Sequence, residues 1–158
     1  MSHVVYHPAY NIGFCGLERF HPFDSRKYGR AWKLLRPHVP KGRRLSPKRP
    51  VSREELAEVH SAAYLDQLRD PSYLAQALEL PPLRHLPRWL IDFCVLKPMR
   101  WATMGSVVAA RAALEHGFAV NLAGGYHHAK PSGGEGFCVY SDIALAIHTA
   151  RKEGRLAD

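Results

Sequence analysis

Phe118-Ala119-Val120-Asn121-Leu122 runs directly into Ala123-Gly124-Gly125-Tyr126-His127-His128, and this junction is the strongest indication of the fold class. The first five residues are nearly all apolar, which predicts a buried parallel strand. Gly124-Gly125 then allows a sharp turn where a Cβ would clash. Because ligands bind open α/β sheets beyond the carboxyl ends of the strands, the loop after Leu122 is the expected ligand site.

Helical patterns flank this strand on both sides. A helix is predicted from Pro98, whose missing N–H suits a first helical position, to about His116. Gly117 is expected to end it as a left-handed cap. A last helix is predicted over 142–152, and the order helix, strand, glycine loop, helix is typical of an open α/β sheet. The residues predicted to face the core from the first of these helices are Met104, Val107, Val108 and Leu114.

The first half of the chain is predicted to hold one strand and several short helices. Val4-Val5-Tyr6 favours a strand, and residues 25–35 have helical spacing with Tyr28, Trp32 and Leu35 on one side. Residues 37–50 contain four prolines and are predicted as loop. Ser52-Arg53-Glu54-Glu55 is a capping box that predicts a helix start, and further short helices are expected at 61–68 and after Asp70.

Composition limits the class of protein. The chain has 158 residues, of which 46% are hydrophobic and 23% charged, as in one ordinary globular domain. It has neither the long apolar run of a transmembrane helix nor the start of a signal peptide. Its three cysteines, Cys15, Cys94 and Cys138, are scattered, which excludes a disulfide framework and a zinc ribbon. We expect a soluble cytoplasmic chain with no membrane partner.

The net charge of +8 is concentrated in one segment. Residues 26–53 carry eleven Lys or Arg and no Asp or Glu, with the highest density at 41–49. This pattern indicates either a surface for an anionic partner or a solvated basic loop balanced by acidic residues elsewhere. No aromatic residue lies among the cations of 41–49, so nucleic acid is not the partner that we expect.

Two adjacent imidazoles, His127 and His128, precede a second glycine cluster that ends at Gly136-Phe137-Cys138. Successive side chains diverge in extended backbone, so the pair is poorly suited to chelate one metal ion. It suits general acid–base catalysis, in which one imidazole acts on a water and the other supplies charge or a hydrogen bond. The alternative is that the two histidines only decorate a loop. The segment matches neither common phosphate-binding glycine motif.

Residues 121–147, with Gly-Gly-Tyr-His-His-Ala and Gly-Phe-Cys-Val-Tyr-Ser-Asp-Ile, resemble the tandem-histidine motif of the zinc-dependent histone deacetylases. Residues 10–24 and Leu96-Lys97-Pro98-Met99-Arg100 resemble the class IV branch of that family, and 59–65 is similar to a family helix. The resemblance implies an arginase-like α/β fold, an open parallel sheet with helices on both faces. Residues 1–158 would then form the N-terminal, incomplete part of a single deacetylase domain, truncated after the tandem-histidine loop and the following helix.

The same resemblance implies roles for four residues. His128 would act as general base and then as general acid toward the leaving amine, and His127 would stabilise the transition state electrostatically. The Gly136 carbonyl would accept a hydrogen bond from the substrate amide, and Phe137 would form one wall of an acyl-lysine tunnel. Tyr126 and Cys138 would lie near the site or simply pack.

Zn²⁺ is the cofactor that the resemblance implies for the complete enzyme. The family's ligands, an Asp-x-His and a further Asp, come later than the part that this chain spans, so no metal ligand is assigned here. Asp142 is interpreted as a helix-start residue. The other residues considered as substitutes lack ligand spacing relative to it and to one another: His21, Asp24 and His60.

Two hypotheses of function follow from these patterns. The first is a zinc-dependent amide hydrolase that removes acetyl or longer acyl groups from lysine in proteins or from small amines, with this chain an incomplete, inactive fragment. The second is a non-catalytic binding or scaffold piece that uses the basic segment 41–49. In a fragment, missing strands would leave a sheet edge open to association.

Overall fold

A parallel three-stranded sheet organises the computed structural model, which describes residues 2–13, 24 and 26–157. The central strand pairs with a different neighbour on each side, through Val4–Arg44 and Val4–Val120. The predicted open parallel sheet is therefore confirmed. In the order β2-β1-β3, the strands are β1 His3–Val5, β2 Arg44–Leu45 and β3 Ala119–Asn121.

Helices and short helical turns make up most of the remaining regular structure. No helix in the described ranges combines the length and apolar character needed to cross a bilayer. The α-helices are α1 Lys27–Leu35, α2 Arg53–Ala57, α3 Ala62–Gln67, α4 Pro71–Ala77, α5 Arg88–Ile91, α6 Lys97–His116 and α7 Asp142–Lys152. The 3₁₀ turns are Pro8–Tyr10, Arg36–His38, Lys41–Arg43 and Pro81–His85.

The helix-start signals work as the sequence predicts. The Ser52 hydroxyl accepts from the Glu55 N–H, and the Glu55 carboxylate accepts from the Ser52 N–H, so the capping box is complete. Asp70 caps α4 in a similar way, through the Ser72 N–H. These caps satisfy backbone donors that would otherwise lack partners in the first helical turn.

The segment 37–50 is not only loop, because it contains β2. The strand has two residues, too few to show any periodic pattern in the sequence. Its position is stabilised by Arg44, whose guanidinium donates to the carbonyls of Val39 and Arg36, each at 2.8 Å. A basic residue predicted to face solvent thus holds the strand in place.

Pro98 lies in the first turn of α6, but the chain does not enter that helix from a loop. α5 continues through one π-helical turn, Asp92–Leu96, directly into α6. Proline cannot donate the hydrogen bond that an α-helical backbone requires, and here the π-helical turn directly precedes α6, as a single turn within an otherwise α-helical run.

Among the described residues β3 pairs on one side only, with β1, and it is less buried than its apolar sequence predicts. α6 packs against β1 and β3, yet Val120 is 37% exposed and the preceding Phe118 58%. Leu114 in α6, expected to face the core, is also exposed. Apolar composition alone does not distinguish a central strand from an edge strand, because both can carry β-branched residues.

The main core lies between the helices, next to the loop that follows β3. It joins α3, α4, α6, α7 and the residues just before α7. Its most deeply buried members include Leu74, Ile91, Val95 and Val139. The loop after β3 is therefore packed against a firm apolar body rather than free in solvent.

Gly105 lies where α6 packs closely against Asn121 of β3 and against Tyr10. A Cβ at this position would overlap the Tyr10 hydroxyl and lie 2.7 Å from Asn121 Oδ1. We expect Gly105→Ala to lower the free energy of unfolding by about 1–3 kcal/mol, as overpacking does. At an exposed helical glycine the same change would instead raise the free energy of unfolding by about 1 kcal/mol.

Chemical denaturation of the parent protein and of Gly105→Ala measures the difference in their free energies of unfolding. Gly42→Ala is the matched control, because a Cβ at Gly42 would meet nothing within 4 Å. A Gly105→Ala variant as stable as the parent would show that the helix and sheet are not in this close contact.

Candidate active site

The two imidazoles after β3 lie side by side at the surface. The ring centroids of His127 and His128 are 4.1 Å apart, and the ring planes are tilted by 45°. The backbone forms a turn here, so the adjacent side chains do not diverge as they would in an extended strand. The premise that neighbouring histidines point apart is therefore wrong at this turn, and the two rings can act on one bound group.

His127 is oriented by the carbonyl of Gly125. That oxygen lies 2.9 Å from the His127 backbone N and 3.0 Å from its Nδ1. A carbonyl can only accept a hydrogen bond, so the neutral ring carries its proton on Nδ1 in this arrangement. The Nε2 lone pair is then the basic atom of His127.

Gly136 packs directly against the ring of His128. A Cβ on Gly136 would lie 2.9 Å from His128 Cδ2, and the residue has φ +54°. Phe137 also has a left-handed φ, 64°, which is uncommon for a residue other than glycine. Its N–H donates to the Ala77 carbonyl at 3.2 Å. The loop thus brings His127, His128, Gly136 and Phe137 to one place, while their chemical roles stay predictions.

Cys138 and Tyr126 lie next to these residues and also pack. The Cys138 Sγ is 3.3 Å from the Gly136 carbonyl, and burial raises the pKa of the thiol, which keeps it protonated as a donor. Tyr126 packs against the main core and against a small second cluster formed by Tyr10, Ala102 and Ala123, and burial raises the pKa of its phenol. The Gly136 carbonyl therefore already serves as a hydrogen-bond acceptor.

His60 forms hydrogen bonds with the later part of the loop, at Lys130 and Ser141. This side chain is only 4% exposed, with Nδ1 2.9 Å from the Lys130 carbonyl and Nε2 accepting from the Ser141 N–H at 2.9 Å. Both contacts are satisfied only by a neutral ring protonated on Nδ1. Burial lowers the pKa of His60 below its usual 6.5, which favours that neutral form.

Two tyrosines from α3 and α4 add further bonds to the loop. The Tyr64 hydroxyl donates to the Val139 carbonyl at 2.7 Å, and the Gly134 N–H donates to the Tyr73 hydroxyl at 3.0 Å. Sequence reasoning missed these contacts and that of His60. A tyrosine at helical spacing has the same pattern as an ordinary core residue, so only the fold reveals its partner.

Asp142 begins α7, but its carboxylate does not cap that helix. The side chain is fully buried and accepts from the N–H groups of Gly125 and Tyr126, each at 2.8 Å. The Ser106 hydroxyl donates to the same carboxylate. The interpretation of Asp142 as merely a helix-start residue is therefore incomplete, because its side chain holds the histidine loop.

The candidate metal ligands do not come together. Among residues 2–13, 24 and 26–157, no group of three or more His, Cys, Asp or Glu side chains could hold a metal ion. His60 and Asp142 use their polar atoms on the loop, and Asp24 pairs with Arg30. His21 lies outside the described residues. The residues present do not form a zinc ligand set, so no step is assigned to a metal ion in this chain.

Comparisons with known proteins agree on one family. The histone deacetylase domain matches residues 21–157. Histone deacetylase 2 of Arabidopsis thaliana is 38% identical over 151 residues, which cover 93% of this chain and 38% of that protein. Histone deacetylase 1 of Homo sapiens is 35% identical over 128 residues, covering 75% and 23%.

A solved structure supports the same fold. The crystal structure of the HDA15 HD domain superposes with a TM-score of 0.63 at 18% identity, over 97% of this chain and 44% of that one. The chain therefore has the fold of that domain, including the predicted open parallel sheet with helices. It spans less than half the length of each of these relatives.

The neutral state of His60 predicts a pH dependence of stability. The folded pKa lies below the unfolded value of 6.5, so the unfolded chain binds the extra proton first as pH falls. The contribution of the neutral His60 ring to the free energy of unfolding is complete above pH 6.5. It is lost as the pH falls from 6.5 through the lower, folded pKa of His60. Unfolding by urea at a series of pH values measures this loss.

His60→Gln is the matched variant, because an amide can donate to the Lys130 carbonyl and accept from the Ser141 N–H without titrating. We expect this variant to lose stability less steeply below pH 6.5 than the parent. The pKa of His3 and of His7 is lowered by burial in both proteins, so their effect cancels in the comparison. Identical pH profiles would contradict the assigned neutral bridge.

Proposed function

Since this chain belongs to the histone deacetylase domain family, we propose that its histidine loop serves a hydrolase that removes acyl groups from lysine side chains. The observation that carries the proposal is the contact between His128 and Gly136, beside the second imidazole of His127. A base, a neighbouring ring and a bare backbone carbonyl are the groups that amide hydrolysis requires of this loop.

His128 is the proposed general base and acid. Its exposed ring can take a proton from a water molecule as the water oxygen attacks the amide carbonyl carbon. When the C–N bond breaks, the same ring returns the proton to the departing lysine nitrogen, and the acyl group leaves as a carboxylate. His127, 4.1 Å away between ring centroids, is the proposed electrostatic stabiliser of the transition state.

Gly136 and Phe137 are the proposed substrate-binding residues. The absence of a Cβ on Gly136 leaves room for the His128 ring, where a side chain would come within 2.9 Å. The Gly136 carbonyl would accept from the substrate amide N–H in place of the Cys138 thiol. The left-handed backbone of Phe137 is of the kind that is concentrated at functional sites.

The proposed cofactor is Zn²⁺, supported by membership of a family that is generally zinc-dependent. Such an ion supplies Lewis-acid chemistry in amide hydrolases, and the described residues of this chain include no ligand set that would hold it. The proposed substrate is an acyl-lysine protein or a small acylated amine, and the cytoplasm is the proposed location. The net charge of +8 on this chain disfavours a strongly basic peptide, since like charges repel.

The alternative, a binding piece that uses the basic segment 41–49, gains no support from its geometry. Arg49 makes a two-bond ion pair with Glu55, at 2.7 and 2.8 Å. Arg44 donates to backbone carbonyls. Two of the five cations therefore stabilise this chain rather than face a partner.

A chimeric enzyme tests the proposed function. Residues 119–152 of this chain would replace the matching segment of histone deacetylase 2 from Arabidopsis thaliana, and turnover of an acetyl-lysine peptide would be measured. We expect activity in the chimera and a loss of kcat of roughly 10²- to 10⁴-fold in His128→Ala, the usual contribution of a general acid–base. The zinc content should not change, because His128 is not assigned as a ligand.

His148→Ala is the control within the same segment, since it removes an imidazole from the exposed part of α7 and should leave kcat unchanged. Full activity of His128→Ala would contradict the assigned role. Loss of zinc in that variant would show that His128 is a ligand instead, and an inactive chimera with normal zinc content would count against the loop itself.

A further inference from the structure

We propose that Asp142 is the positioning residue of the histidine loop. Its carboxylate accepts from Gly125 and Tyr126 and so fixes the turn from which His127 and His128 project. Its catalytic meaning depends on the function proposed above, whereas its effect on the loop can be measured without substrate or zinc.

The first argument is the cost of burying this carboxylate. Asp142 is fully buried, and a buried charge is strongly unfavourable unless donors replace the lost water. Three neutral donors do so here, the two backbone N–H groups and the hydroxyl of Ser106. Bonds from N–H groups to a carboxylate are stronger than those to a neutral acceptor, so the two loop amides are tightly held.

The second argument is the rigid support behind the carboxylate. Asn121, at the end of β3, donates to the Ser106 hydroxyl at 3.1 Å and to the Ala102 carbonyl at 3.0 Å. Since the Ser106 hydroxyl accepts from Asn121, its own proton is directed to Asp142. One chain of hydrogen bonds therefore joins β3, α6, α7 and the loop.

The third argument is the fit of Gly124 to the carboxylate. A Cβ on Gly124 would lie 2.5 Å from Asp142 Oδ2 and 2.6 Å from Ser106 Oγ. The residue also has φ +86°, which glycine adopts without strain. The first glycine of the pair is thus required both for the turn and for the space that the Asp142 side chain occupies.

The path from Asp142 to the imidazoles is short. The Asp142 carboxylate accepts from the N–H of Gly125. The carbonyl of Gly125 in turn accepts from the backbone N–H and from Nδ1 of His127. His128 follows in the same turn. A shift of Gly125 would therefore reorient both rings.

Amide hydrogen exchange followed by NMR on the 158-residue chain tests the proposal. In Asp142→Ala we expect the Gly125 and Tyr126 amides to exchange about tenfold to a hundredfold faster, the range that follows from hydrogen bonds to a charged group. Leu145, whose N–H bonds to Ser141 within α7, should keep its rate. Ser141→Ala is the matched control, because Ser141 is the N-cap of α7 and makes no side-chain cap bond.

Asp142→Asn gives a sharper result in the same assay. A side-chain amide keeps one acceptor oxygen, which can take the place of Oδ2 and accept from Gly125 and Ser106, or the place of Oδ1 and accept from Tyr126. We expect one of the two loop amides, Gly125 or Tyr126, to regain protection and the other to remain fast. This variant is close to isosteric, so it decides the question if Asp142→Ala does not fold.

Two outcomes would overturn the proposal. Unchanged exchange at both Gly125 and Tyr126 in either variant that folds would show that the carboxylate does not hold the turn. Equally faster amide exchange at Gly125, Tyr126 and Leu145 would show a general loss of stability. That is the result expected if Asp142 only stabilised the start of α7. An inactive chimera in the turnover assay would leave this exchange result unaffected, so the two failures are distinguishable.

Discussion

One buried carboxylate accepts two consecutive backbone N–H groups, and the candidate site depends on this interaction. Asp142 reaches from the first turn of α7 to Gly125 and Tyr126, at the point where the chain leaves β3. A strand of three residues cannot by itself direct the loop that follows it. The carboxylate and its donors supply that direction, because the cost of burial is recovered only when the turn is in place.

A second set of contacts holds the other end of the same loop. His60 bridges Lys130 and Ser141 as a neutral ring, and Tyr64 and Tyr73 bond the backbone between them. The loop is thus clamped to α7 on one side and to α3 and α4 on the other. The two imidazoles face solvent from this clamped loop, which is the arrangement that a preorganised acid–base site requires.

The sequence reveals those features that depend on local pattern. The capping box at Ser52, the bounds of α7 and the glycine turn after β3 all follow from short-range chemistry, and the structure has them. The exposure of Val120 and the strand at Arg44 do not, because both depend on which segments become neighbours in the sheet. The interpretation of Asp142 as a helix-start residue is incomplete for the same reason. Carboxylates are common at helix starts, and only the fold shows that this one bonds to residues far away in the sequence.

The central claim is that this clamped loop holds His128 against the backbone of Gly136. The nuclear Overhauser effect between His128 Hδ2 and the Gly136 Hα protons tests it most directly, because the glycine Cβ position lies 2.9 Å from His128 Cδ2. A strong cross-peak in the 158-residue chain is the predicted result. Its absence, with both residues assigned and the chain folded, would contradict the placement of the histidine and the function proposed from it.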